Sequence, residues 1–337
     1  MPTLRYHIVD VFSSDAYKGN PLAVVENTSD SLNTTQMQLI ARQFNLSETT
    51  FVCPPTDPKA TLRLRSFLPN GEEVFGAGHN SLGAWWWAAD SGLCSTPQNQ
   101  ARCLYHQQLG QAILPVEISQ SSSGTISISM QQGELQLLDS HANKAVLAET
   151  LGITAADIGL QDSAGNTVLD EVRVVTTSPA RHLLVPVRSK EALDRVTFTN
   201  KERIAQELAS TNSHNSGVYV FTAVDGRCDI PRFEARFFSP SMSMEDPATG
   251  SAAGPLAAYL WTTANPAILA SQKTNGGIAY VEVIQGLKTG RECLMKLAID
   301  DQGSSVDLAI SGTCVLVADG NIVIPSPEIV FKSDGSC

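Results

Sequence analysis

The sequence predicts an α+β protein of two similar halves, each a sheet wrapped around its own central apolar helix. Two observations carry this. The chain has 337 residues, too many for one small core and suited to two domains of ordinary size. The same order of signals also occurs twice: a strand, a polar turn, a glycine-rich loop, then a helix almost free of charge. In the first half these are 62–67, Pro69-Asn70-Gly71, Phe75-Gly76-Ala77-Gly78-His79, and the run Asn80 to Ala89. In the second half they are 233–238, Glu245-Asp246-Pro247-Ala248-Thr249-Gly250, and the run Ser251 to Leu260. A helix apolar on all sides belongs in an interior, so each half should close around its own.

The elements follow in order. Residues 6–12 read as a strand, and Gly19-Asn20-Pro21 is a turn before a second strand at 22–25. Met37, Ile40, Ala41 and Phe44 recur at three- and four-residue spacing, which predicts an amphipathic helix over 33–44. Strands are expected at 50–52, 62–67, 113–118, 125–130 and 133–138. Gln131-Gln132-Gly133 marks the passage between halves. Beyond it, helices at 144–151, 190–196 and 201–209 alternate with strands at 172–176, 182–187, 217–222 and 233–238.

Composition narrows the function. A net charge of −11 and no cluster of Lys and Arg argue against nucleic acid as a partner. The longest helix-like apolar stretch, 81–89, is too short to span a bilayer, so no membrane partner is expected. The N-terminus leads straight into a strand without a signal-peptide apolar run. Seven scattered cysteines without a C-x-x-C pair fit free thiols in a reducing compartment, and the cytoplasm is the expected location. The six histidines stand singly, with no metal-ligand spacing. No nucleotide loop, nucleophile elbow or dinucleotide fingerprint is present, so the chemistry is expected to need no cofactor and no metal.

What remains is a pair of carboxylates in unusual company. Glu48 stands in Asn45-Leu46-Ser47-Glu48-Thr49-Thr50-Phe51, just past a helix and beside hydroxyls. Buried there, it could serve as general base and then general acid; a solvent-exposed turn glutamate fits the same residues. Asp246, before Pro247, could be catalytic or could cap a helix. His79 could protonate or polarise a substrate oxygen, or simply satisfy its own loop. The helix starts at Gly78 and Gly250 offer unpaired N–H groups and the positive end of a dipole, suited to a small carboxylate, and Ser251 adds a hydroxyl. The glycines could equally serve tight helix–sheet packing. Trp85-Trp86-Trp87 points in three directions on a helix and suits core packing better than ligand stacking.

Together these segments resemble the PhzF-like phenazine-biosynthesis isomerases, whose fold is shared with diaminopimelate epimerase. The resemblance rests on Val9-Asp10-Val11-Phe12, Gly19-Asn20-Pro21-Leu22-Ala23-Val24, the Glu48 segment, and Phe75-Gly76-Ala77-Gly78-His79 for the family's G-H-P-T loop. It is completed by Glu245-Asp246-Pro247-Ala248-Thr249-Gly250-Ser251-Ala252 for its E-D-P-x-T-G-S-A. It implies two domains related by a pseudo-twofold, each an antiparallel barrel-like sheet around a central helix, with the site in the cleft between. The expected division is 1–131, completed by 318–337, and 132–317.

By the same resemblance Glu48 shuttles a proton between carbons of a small carboxylate-bearing substrate of dihydrohydroxyanthranilate kind. His79, Asp246 and Ser251 bind and orient that substrate. Ser47, Gly78, Asn80 and Gly250 complete the expected binding set. Asn80-Ser81 replaces the family's Pro-Thr, and the Asn80 amide is expected to reach the ligand. Neither glycine loop holds a cysteine, which argues against a two-thiol epimerase. A one-base epimerase or racemase, with Asp246 opposing Glu48, and a non-catalytic binding protein on the same fold remain open alternatives. The resemblance also implies a homodimer, for which no sequence feature speaks independently.

Overall fold

The computed structural model describes residues 1–76, 78–97, 101–162, 164–213, 216–227, 230–242, 244–263, 269, 278–302 and 306–332. Ala77 of the first glycine loop and the cysteines at 228 and 337 lie outside them. The chain forms two compact units, Met1–Gln131 with Ser311–Cys337, and Gln132–Ile310. Residues 311–317, grouped by sequence with the second half, go with the first unit.

The first unit begins β1 (Thr3–Val11), β2 (Asn20–Glu26), α1 (Thr34–Phe44), β3 (Thr49–Cys53), β4 (Leu62–Phe67) and β5 (Glu73–Val74). It continues with α2 (His79–Asp90), β6 (Arg102–Leu109), β7 (Ala112–Gln120) and β8 (Ile126–Gln131). The second contains β9 (Gln136–Ser140), α3 (Lys144–Thr150), β10 (Leu160–Gln161), β11 (Thr167–Leu169), β12 (Arg173–Thr176) and β13 (His182–Pro186). There follow α4 (Lys190–Arg195), α5 (Lys201–Ala209), β14 (Val218–Arg227), β15 (Ile230–Phe238), α6 (Gly250–Thr263), β16 (Ala279–Gln285), β17 (Cys293–Asp301) and β18 (Val306–Gly312). The chain then returns to the first unit as β19 (Cys314–Val323), antiparallel to β1 with Thr3 opposite Val323.

The sheets are mixed, where the resemblance implied antiparallel ones. In the first unit β2–β3 and β4–β6 are parallel neighbours, and β1–β2, β3–β4 and β6–β7 are antiparallel. In the second, β13–β14 and β15–β16 are parallel, and β12–β13, β14–β15 and β16–β17 are antiparallel. The reason is geometric. Parallel neighbours need a crossover rather than a hairpin, and each such pair is joined through helix. The crossovers are α1, α2, α4 with α5, and α6. The repeat suggested by the sequence is thus one of topology, with the same alternation of pairings in each unit.

Local chemistry sets the helices. Asn33 caps α1, its side chain accepting the Gln36 N–H while the Gln36 side chain accepts the Asn33 N–H. Met37, Ile40 and Ala41 face inward with Val25, Phe51 and Phe67. Asn45 stops the helix in the left-handed region (φ 53°), its N–H bonded to the Ala41 carbonyl. Every residue of α2 from His79 to Ala89 is buried. At Gly83 a β-carbon would come within 2.6 Å of Leu22 and 2.8 Å of Val11, so this glycine serves close helix–sheet packing. The three indoles are core residues, and Trp85 Nε1 donates to Gln107 Oε1 at 3.1 Å. In the second unit α6 is buried from Ala252 to Trp261. Leu147, Leu193 and Ile204 from α3, α4 and α5 pack with Val218 and Val220.

Candidate active site

In the first unit the turn after α1 carries Ser47 and Glu48 into β3, and the start of α2 carries His79. The structure brings these three together. His79 Nε2 lies 3.3 Å from Glu48 Oε2 and 3.3 Å from Ser47 Oγ. The His79 and Glu48 side chains are 9% and 21% exposed, so the pair is largely withdrawn from water. Glu48 Oε2 is itself buried and accepts no hydrogen bond from the described residues, the contact with His79 being close but poorly aligned. The hydroxyls of Thr49 and Ser81 are likewise buried without a partner. Buried polar atoms are nearly always paired, so an unpaired carboxylate oxygen calls for an explanation.

Asn80 behaves otherwise than its amide suggests in the sequence. Its Oδ1 accepts the Gly78 N–H at 3.0 Å, and its Nδ2 donates to Ser66 Oγ and to the Gly76 carbonyl, each at 3.1 Å. Ser66 in turn bonds Thr50 at 2.8 Å. Asn80 therefore spends both amide hydrogens and one lone pair on shaping the glycine loop, and the Gly78 N–H is committed to it. The donors left by geometry are the first N–H groups of α2 itself.

The base of this loop is held by Arg65 on β4, which donates from Nε and Nη2 to the two oxygens of Glu73, both at 2.7 Å. That fork-to-fork pair draws the Arg65 guanidinium further above its usual value through hydrogen bonding to Glu73, against the opposing effect of burial.

The second unit builds its loop with the same device. Arg236 on β15 donates to the two oxygens of Glu245 at 3.0 and 2.8 Å, and to the Leu193 and Val196 carbonyls. Asp246, 9% exposed, closes the turn: Oδ2 accepts the Thr249 hydroxyl at 2.6 Å and Oδ1 the Ala248 N–H at 3.4 Å. Gln285, fully buried at the end of β16, accepts the Thr249 N–H at 3.1 Å and donates to the Asp246 carbonyl at 2.8 Å. The Thr249 carbonyl accepts from Ala252 and Ala253, so Gly250 and Ser251 open α6. Their N–H groups stand free of the helix ladder, at its positive end. Ser251 Oγ meets His182 Nε2 at 2.9 Å.

Arg236, Gln285 and His182 are the residues that sequence reasoning missed, and Tyr219 is a fourth. Its buried hydroxyl has no partner among the described residues, and burial, with the charge of Asp246 adding to it, holds its pKa well above the ordinary tyrosine value. The bidentate Arg–Glu pairs had a sequence signal in their eight- and nine-residue separations around each turn. Gln285 and His182 had none.

A polar cavity of about 410 Å³ in the second unit, lined by Thr176, Thr177 and Arg181 among others, contains none of the candidate residues. Among the described residues no group of three or more His, Cys, Asp or Glu is placed to hold a metal ion, and no helix is long and apolar enough to cross a membrane.

The chain is an α+β protein with a carboxylate–imidazole pair at one glycine loop and an Asp-Pro turn before another. Comparison with known proteins gives it a family. Residues 9–320 match the family described as phenazine biosynthesis-like protein (PhzC-PhzF), and the chain belongs to this family. A Mesorhizobium japonicum protein named an uncharacterized isomerase is 32% identical, over 96% of this chain and 100% of its own length. The trans-2,3-dihydro-3-hydroxyanthranilate isomerase of Pseudomonas fluorescens is 30% identical, over 95% and 99%. Among solved structures, a PhzF-family phenazine biosynthesis protein of Bacillus anthracis superposes with a TM-score of 0.79 at 23% identity, covering 96% of this chain and all of its own. A hydroxyproline epimerase of Agrobacterium vitis shares the fold with a TM-score of 0.57 at 12% identity, over 96% and 91%. By this kinship the protein is an isomerase.

Proposed function

We propose that this isomerase moves a proton on a small, carboxylate-bearing, conjugated acid of the dihydrohydroxyanthranilate kind, without a cofactor, and that Glu48 is the group that carries it. One observation bears most of the weight: the buried, unpaired oxygen of Glu48 beside His79. A buried carboxylate oxygen with no partner among the described residues is left for a ligand to complete its bonding. The name of the Pseudomonas fluorescens relative supplies the substrate class.

The reaction balances without oxidant or reductant. The substrate C–H bond breaks as an O–H bond forms on Glu48 Oε2, and the electron pair moves through the conjugated system. The neutral Glu48 carboxyl then returns the proton to another carbon. His79, 3.3 Å from the same oxygen, orients Glu48 and the substrate, with Ser47 Oγ also 3.3 Å from the same ring nitrogen. In the second unit, the open N–H groups of Gly250 and Ser251 and the Ser251 hydroxyl are suited to bind a carboxylate. Asp246 is assigned to orientation, because its carboxylate already accepts from Thr249 and Ala248 and holds the loop before α6.

The topology also favours one base over two. Glu48 lies between the first crossover helix of its unit and the strand it feeds. At the same place in the second unit, between α5 and β14, stands Gly217, which has no side chain to carry a proton. A two-base epimerase with matching groups in the two units finds no second base at this position, while an epimerase with Asp246 as the acid would show inversion and solvent deuterium at the stereocentre.

The experiment is incubation with trans-2,3-dihydro-3-hydroxyanthranilate in deuterated buffer, read by ultraviolet spectroscopy and mass spectrometry, with Glu48→Gln alongside. Turnover lost in the variant supports the assignment. A folded Glu48→Gln protein that turns over at the wild-type rate would sink it.

A further inference from the structure

Within the second unit one buried titratable group has no part in the proton transfer. His182 begins β13, is 6% exposed, and packs edge-on against Phe237 with ring centroids 4.9 Å apart. Both of its nitrogens are engaged. The Gly217 N–H points at Nδ1 across 3.3 Å, and Nε2 lies 2.9 Å from Ser251 Oγ. A backbone N–H can only donate, so Nδ1 must be an acceptor and carries no proton. In the neutral ring the proton is then on Nε2, and Nε2–H donates to Ser251. Burial holds the imidazole neutral, its pKa pushed down to about 4.

Gly217 makes the arrangement possible. A β-carbon there would lie 2.4 Å from both the Phe238 carbonyl oxygen and the Phe237 ring, so only glycine brings its amide this close to the His182 edge. The Gly217 carbonyl accepts the Leu183 N–H at 3.0 Å, which fixes the peptide on both sides of β13's first residue.

We propose that His182 is a positioning residue for Ser251: locked as the Nε2–H tautomer by the Gly217 amide, it fills a lone pair of the Ser251 hydroxyl and commits that hydroxyl's own proton to the substrate carboxylate. Without this donor the serine could turn its proton to the ring and present lone pairs to an anion, which would repel it. With it, the hydroxyl proton has no ring acceptor to turn to and is left for the anion. The inference rests on the reading of Ser251 as a carboxylate-binding group.

Two measurements test it. Long-range proton–nitrogen correlation spectra of the full chain labelled with ¹⁵N-histidine, with His182→Gln to assign the signals, read the tautomer directly. A neutral His182 protonated on Nε2 is expected at pH 7; a proton on Nδ1, or an imidazolium, overturns the proposal. Steady-state kinetics with trans-2,3-dihydro-3-hydroxyanthranilate then compare His182→Phe and His182→Gln in the native and Ser251→Ala backgrounds. His182→Phe is expected to raise KM about tenfold, the worth of one well-formed hydrogen bond, with a smaller change in kcat. His182→Gln keeps an N–H donor near the Nε2 position and should restore most of the loss.

In the Ser251→Ala background His182→Phe should change KM little further. Equal damage in both backgrounds, or no recovery in a folded His182→Gln protein, overturns the proposal. Absence of turnover by the native enzyme would instead overturn the substrate reading beneath it, while the tautomer spectrum still decides the hydrogen-bond arrangement by itself.

Discussion

Glu48 Oε2 and His79 Nε2 stand 3.3 Å apart, largely out of water, yet no hydrogen bond joins them. The separation depends on the full length of the glutamate side chain, since Glu48 approaches from the turn before β3 and His79 from the first residue of α2. Glu48→Asp keeps the charge and withdraws the carboxylate by one methylene. Misplacement of a reacting group by about 1 Å can lower turnover about 100-fold. We expect kcat to fall by about that factor with the thermal midpoint nearly unchanged, measured on the same substrate as Glu48→Gln. A Glu48→Asp enzyme with native kcat would mean that the carboxylate does not touch the reacting carbon.

The Arg236–Glu245 pair presents a stability prediction. Both side chains are about one-tenth exposed, and Arg236 also satisfies the Leu193 and Val196 carbonyls. Arg236→Met leaves a buried anion and two carbonyls without their donor. Breaking one partner of a buried pair costs about 3–5 kcal/mol, and a loss in that range is expected from urea unfolding. Arg65→Met, at a pair about one-fifth exposed, should cost distinctly less because water can reach Glu73.

Gln285 offers a test of how the second loop is held. Gln285→Met fills similar space but removes the acceptor of the Thr249 N–H and the side-chain donor to the Asp246 carbonyl in the interior. Each unsatisfied group costs about 1–3 kcal/mol. The variant should therefore unfold at lower urea, and its KM should rise because α6 starts from this loop. A stable variant with native KM would show that the Thr249–Asp246 bond alone fixes the turn.

Why some of this was legible in the sequence and some was not follows from distance along the chain. The helix at 34–44 announces itself through spacing every three or four residues, and the apolar runs of α2 and α6 through their lack of charge. Glu48, His79 and Ser251 sit beside turns and helix starts, whose chemistry is local. Strand partners are not local: β1 pairs with β19 from the other end of the chain, and no propensity encodes that register. The mixed sheets follow from crossovers, which the strand segments alone do not reveal.

The Asn80 amide looks fully available in the sequence, where nothing reveals that three of its four bonding directions go to Gly78, Ser66 and Gly76. His182 gave no signal because its partner Ser251 lies 69 residues away.

His182 also predicts the direction of acid sensitivity. Its pKa is depressed to about 4 in the folded chain, by burial, against about 6.5 when unfolded. Between those values the unfolded chain binds a proton that the folded chain refuses, so stability rises with pH across the window. The contribution is fully present above about pH 6.5 and is lost progressively as pH falls toward 4. At 1.36 kcal/mol per unit, the loss over the window is on the order of 3 kcal/mol. His182→Gln does not titrate, so its urea midpoint should lack this part of the slope, lying below the native midpoint by a constant amount only above about pH 6.5. The two curves should converge as pH falls from 6.5 to 4. Parallel curves over that range would mean that His182 takes up its proton in the folded state as readily as in water, and that burial does not hold it neutral.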